Sequence, residues 1–151
     1  MSYSERRDLL ARLEKDSIDK YCENYNIQNF IKDVKLNEGN KTDPIINKSV
    51  IFDGYYTIGT GEFFVETAIS LRLIGSLTQM DLYYKLSKLL YYRNYKNAPV
   101  KLVLLIIHIQ DEKNEFNLKR IKALSELFFP AIENGLLEII IQDYPAEIIK
   151  K

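Results

Sequence analysis

The stretch IFDGYYTIGTGEFFVETAIS, residues 51–70, decides the fold of this chain. On either side of the GTG at residues 59–61 the residues are mainly β-branched and aromatic, as in half-buried strands joined by a tight turn. The stretch therefore predicts a β-hairpin. Side chains alternate along a strand, so Glu62, Phe64, Glu66 and Ala68 share one face, while Phe63, Val65, Thr67 and Ile69 take the other. On the first arm Asp53 shares its face with Ile51 and Tyr55. A register that sets Asp53 beside Glu66 makes two carboxylates converge, a donor set suited to a hard divalent cation such as Mg²⁺. The plainer reading of the same acids is a pair of solvated carboxylates at strand ends.

Working outward, Ser2 and Glu5 fit a capping box, in which the serine hydroxyl and the glutamate each satisfy an amide at a helix start. Leu9, Leu13, Ile18 and Tyr21 then recur at helical spacing, so a first helix is predicted to about Tyr25. Phe30 to Leu36 reads as a helix end or a first strand, and Glu38 to Pro44 as loop, with Asp43 either a turn residue or an outlying acid. Beyond the hairpin, Ser76 with Gln79 offers a second capping box for a helix through about Tyr95, ended by Asn97 to Pro99. VKLVLLIIHI, residues 100–109, is apolar on both faces, as a strand covered on both sides must be. Phe116, Ile121, Leu124, Leu127 and Phe128 mark a third helix, broken near Pro130 and closed by ENG, before LLEIIIQ supplies a last strand. Helices set between strands favour βαβ crossovers, which gives one α/β domain over residues 1–151 with a mixed sheet flanked by helices.

Composition agrees with a single domain: 151 residues, 46% of them hydrophobic, suffice for one core. With 21 basic and 21 acidic residues the whole chain offers no positive field toward nucleic acid or membrane, so any such footprint is local. One is present between Arg72 and Lys101, where Arg72, Lys85, Lys88, Arg93, Lys96 and Lys101 face Asp81 alone and tyrosines interleave. That pattern fits a helix gripping phosphates, or a solvated helix whose tyrosines pack on the sheet. A single cysteine, Cys22, excludes an internal disulfide, and a single histidine, His108, excludes a histidine cluster for zinc; each reads as a core residue. The charged N-terminus lacks a signal-peptide core, and LVLLII at residues 102–107 is too short to span a bilayer. A soluble, cytoplasmic protein with no membrane partner is expected.

The order of a leading helix, Asp53, a turn, FFVE ending at Glu66, a helix with Gln79 near its start and a buried strand resembles the PD-(D/E)XK nuclease superfamily. It is most similar to archaeal-type members in which a further helix and strand, here NLKRIKALSELFFPAIENGLLEIII, follow the core. The resemblance implies a restriction-endonuclease-like fold and metal-dependent hydrolysis of DNA, with Mg²⁺ or Mn²⁺ as cofactor and a homodimer as a possible assembly. It assigns Asp53 and Glu66 as metal ligands, Glu14 (or Glu5) as the first-helix acid completing the metal shell, and Gln79 as a residue lining the site. Ala68 departs from the pattern, standing where the family carries a lysine that positions water and steadies charge on phosphate. Either Arg72, Lys85 or Lys88 supplies that base from elsewhere, with Lys85 assigned to the site, or the metal works alone, or the domain is an inactive relative that binds nucleic acid or protein.

Overall fold

The computed structural model describes residues 2–36, 50–69, 76–110 and 115–148, with backbone alone at 76–78 and 115–117. Helix α1, Tyr3–Asn24, opens on the expected capping box: the Ser2 hydroxyl accepts from the Glu5 amide and the Glu5 carboxylate accepts from the Ser2 amide. Its stripe of Leu9, Leu13, Ile18 and Tyr21 is buried. The ambiguous segment after it is a strand, β1, Ile31–Leu36. The hairpin consists of β2, Val50–Ile58, and β3, Gly61–Ile69, with Gly59 at φ 60, a conformation that favours glycine in a two-residue hairpin loop. Helix α2 spans Ser76–Lys96 and β4 spans Val100–Gln110. The third helical region is divided, as Pro130 foretold, into α3, Glu115–Leu127, and α4, Phe129–Glu133. Gly135 at φ 78 then turns the chain into β5, Leu137–Pro145, which runs past the end of LLEIIIQ.

These strands form one five-stranded sheet in the order β1-β2-β3-β4-β5. The first three pair antiparallel, while β3 with β4 and β4 with β5 pair parallel across the helical connections. The sheet is therefore mixed, and it is flanked on both faces. Leu82, Leu86 and Leu89 of α2, with Ile121 and Leu124 of α3, pack on Phe64, Leu102, Leu104 and Ile106. On the other face, α1 places Leu9 and Leu13 against Ile69 and Ile107, and Ile18 and Tyr21 against Val65, Val103 and Leu105. This two-sided cover is why β4 is apolar at successive positions.

Two aromatic contacts fix the arms of the hairpin. Gly54 lies under the Phe30 ring, so closely that a Cβ there would stand 1.8 Å from Cζ. The Tyr56 and Phe63 rings stack at 4.7 Å, and Tyr56 shares a buried hydroxyl contact of 2.6 Å with Tyr21. Among the described residues no helix is long and apolar enough to cross a membrane.

Candidate functional site

The hairpin register pairs Tyr55 with Phe64 and Gly54 with Val65, which sets Asp53 opposite Glu66. Here the ladder stops. Regular alternation continued past Gly54 would turn Phe52 away from Phe64, yet Phe52 is wholly buried with it, ring centroids 4.9 Å apart. Ile51, grouped with Asp53 by strict alternation, is exposed. The strand thus twists at Asp53, and its neighbour twists with it: the β1 pairing steps from Lys32↔Gly54 to Val34↔Phe52 across Asp33, whose φ is 54. Such a break redirects a side chain that a regular strand would hold in place.

At this fork the two acids take over hydrogen bonds that a ladder would have made. The Asp53 amide donates to Glu66 Oε1 at 3.0 Å. In return, the Thr67 amide and hydroxyl both donate to Asp53 Oδ2, at 2.8 and 2.9 Å. Thr67 was not among the sequence candidates; its only signal was adjacency to Glu66, because strict alternation assigned it to the far face. The break in β2 is what lets Asp53 reach it.

Lys85 completes the cluster. Its Nζ lies 2.7 Å from Glu66 Oε2 and 3.3 Å from the exposed Asp81, one turn earlier on α2. The Lys85 and Glu66 side chains are only 15% and 13% exposed, so water screens them poorly. Burial and, after it, the negative charge of Asp53 push the Glu66 carboxyl up to about 7, against the opposing hydrogen bond and charge of Lys85. Lys85 itself is held above its ordinary value: Glu66 and Asp81 together outweigh the burial that favours its neutral form. Ala68 contributes only a methyl group packed against the α2-side core.

Gln79 is half-buried in the first turn of α2. Glu14 is half-buried on α1, next in sequence to Leu13, which packs with Ile69. Glu5 is used in the α1 cap. Among the described residues, no group of three or more His, Cys, Asp or Glu side chains is placed to hold a metal ion. Arg72 and Asp43 lie outside the described residues, as does the Ser76 side chain of the second capping box.

Of the tyrosines on α2, Tyr92 turns inward, and it and Tyr55 both donate to Glu62 Oε1, at 2.8 and 2.7 Å. Burial and the Glu62 bond push the Tyr55 hydroxyl up to about 12. Tyr84, Tyr91 and Tyr95 are exposed beside Lys88 and Lys96. His108 is a buried strand residue as expected, with Nδ1 2.9 Å from Asp143; among the described residues Nε2 has no hydrogen-bond partner. Cys22 is half-buried, and that burial pushes its thiol up.

Fold and site together define an α/β protein whose mixed sheet carries a half-buried Asp, Glu and Lys cluster at a fork between two antiparallel strands. No protein-family model matches the chain, and no curated protein matches it either.

Proposed function

We propose that the chain is a divergent protein of PD-(D/E)XK type with a restriction-endonuclease-like fold, and that it hydrolyses DNA phosphodiesters with Mg²⁺ or Mn²⁺. One observation carries this reading: the Lys85 ammonium stands 2.7 Å from Glu66 on the face of β3 where Ala68 supplies no base. The donor chemistry suits a divalent cation, because Glu66 is kept up to about 7 by burial and by Asp53, and a cation among hard oxygen donors relieves both. Asp53 and Glu66 would hold it; two carboxylates with substrate phosphate and water are an ordinary Mg²⁺ set. When bound, the ion lowers the pKa of a coordinated water and neutralises phosphate charge. In the protein itself, Thr67 fixes the Asp53 carboxylate, Asp81 and Glu66 hold Lys85 charged, and Lys85 offers a positive group to the anion that develops on phosphate. The exposed tyrosines and lysines of α2 favour a polyanionic, base-bearing ligand over a small phosphate ester.

The test is cleavage of single- and double-stranded DNA in Mg²⁺ or Mn²⁺ by the wild type, Glu66→Ala and Ala68→Lys. Activity that disappears with the cation and with Glu66→Ala supports the assignment; activity indifferent to Glu66→Ala removes it.

A second reading is favoured by a separate observation: Asp53 Oδ2 and both Glu66 oxygens already accept hydrogen bonds from the chain itself. On that reading the acids only close the fork, and the domain is an inactive relative that binds nucleic acid or protein. It predicts no cleavage, but a salt-dependent DNA complex lost when Lys88 and Lys96 are both changed to Glu.

A further inference from the structure

The sheet ends in two strands, β1 and β5, that are built differently. β1 is short, carries Lys32, Asp33 and Lys35, and is twisted at Asp33 to φ 54. Charge and local twist are the means by which an edge resists the addition of another strand. β5 has neither at its centre: Ile139, Ile140 and Ile141 follow one another in a nine-residue strand, and Ile141 is 45% exposed. Among the described residues no strand lies beyond β5, and apart from the sheet's own ladders and a short 3-10 helix at Ala146–Ile148, no backbone hydrogen bond between described residues involves residues 138–148.

The phase of that edge follows from one bond. The Leu102 amide donates to the Leu136 carbonyl, so in the parallel ladder the backbone groups of Glu138, Ile140 and Gln142 turn toward β4. Those of Leu137, Ile139, Ile141 and Asp143 therefore point outward. Pro145, with no amide to offer, falls in the outward phase where the strand ends.

We propose that the outer edge of β5 pairs antiparallel with β5 of a second copy of this chain, forming a two-fold dimer with one continuous sheet. The strand is complementary to its own reverse. Centred on Ile140, the pairing sets Ile139 against Ile141 of the partner subunit, and Glu138 against Gln142 of the partner subunit, so no like charges stand opposite one another. It keeps equivalent faces together, joins outward amides to outward carbonyls, and covers the exposed Ile141. A centre between Ile140 and Ile141 would oppose Glu138 with Asp143 of the partner subunit and exchange the faces. Two-fold closure uses both apolar edges at once and, among the described residues, leaves the blunted β1 edges at the ends.

Light scattering on the full chain over a dilution series tests this. The wild type runs as a dimer, and Ile141→Lys and Ile141→Pro run as monomers with unchanged circular dichroism, since neither removes an amide that β4 uses. Independently, Ile140→Cys in a Cys22→Ser background forms a covalent dimer on oxidation, because the central residues meet as a close, non-hydrogen-bonded pair. A wild type that stays monomeric at all concentrations, or a dimer that Ile141→Lys leaves intact, overturns the proposal.

Discussion

Lys85 Nζ stands 2.7 Å from Glu66 Oε2, so an ammonium from α2 occupies the side of β3 on which Ala68 presents a methyl. If this is the base of a hydrolytic site, Lys85→Met lowers the cation-dependent rate by about 10²- to 10³-fold, the usual loss for one positioned electrostatic group. Adding Ala68→Lys restores part of it, because that position shares the Glu66 face of β3. Single-turnover cleavage of labelled DNA measures both. An undiminished rate in Lys85→Met rules out this role for the lysine.

Thr67 gives two hydrogen bonds to one oxygen of Asp53, and its hydroxyl contribution separates cleanly from its amide. Thr67→Val keeps the shape and deletes the hydroxyl bond, costing roughly 1 kcal/mol in urea unfolding. If Asp53 binds a cation, the same change weakens Mn²⁺ affinity by about 10- to 100-fold, as loss of a supporting hydrogen bond does at metal sites. Thr67→Ser restores the affinity. Mn²⁺ titration followed calorimetrically distinguishes this from a structural effect alone, which would lower stability and leave affinity unchanged.

The raised Glu66 carboxyl makes stability depend on pH in a defined direction. In the unfolded chain it titrates near 4.5, and in the folded protein near 7, so between those values the folded state holds the extra proton. This group therefore makes stability fall as pH rises from about 4.5 to about 7, by at most roughly 3 kcal/mol. Glu66→Gln flattens that slope. A divalent cation that binds the ionised pair raises the melting temperature more at pH 8 than at pH 6, and Asp53→Asn removes the difference. Thermal melts across pH, with and without Mg²⁺, read both effects.

Gly54 is required by the ring above it rather than by its own φ. A methyl at that position meets the Phe30 ring at 1.8 Å, so Gly54→Ala costs about 1 to 3 kcal/mol in denaturant unfolding, the range for overpacked cores. Phe30→Ala is itself destabilising. Combined with Gly54→Ala, its cost falls below the sum of the two, because one change removes the clash made by the other. Strict additivity would show that the ring does not enforce this glycine.

Much of the framework was legible in the chain. The Ser2 and Glu5 cap, the hairpin around Gly59, the two-sided β4 and the break at Pro130 all rest on residues close in sequence. Patterns of this kind are short-range: a cap spans one turn, and alternation or helical spacing repeats within one element. The same reasoning set Asp53 and Glu66 on adjoining strands and named Lys85 among the bases able to reach them. It failed at Asp53 itself, where strict alternation grouped the acid with Ile51 and consigned Thr67 to the opposite face.

What the sequence determined by itself, then, was the order of elements and the chemical types available to the site. Tertiary structure decided how they meet. The rotation of α2 about its axis turns Lys85 toward Glu66 and Tyr92 toward Glu62, while Tyr91 and Tyr95 stay exposed. The twist shared by Asp33 and Asp53 opens the fork, and the β4–β5 register brings Asp143 to His108. Each of these is fixed by packing across the sheet between residues far apart in the chain, and a helical or strand repeat carries no record of which neighbour its polar positions will face.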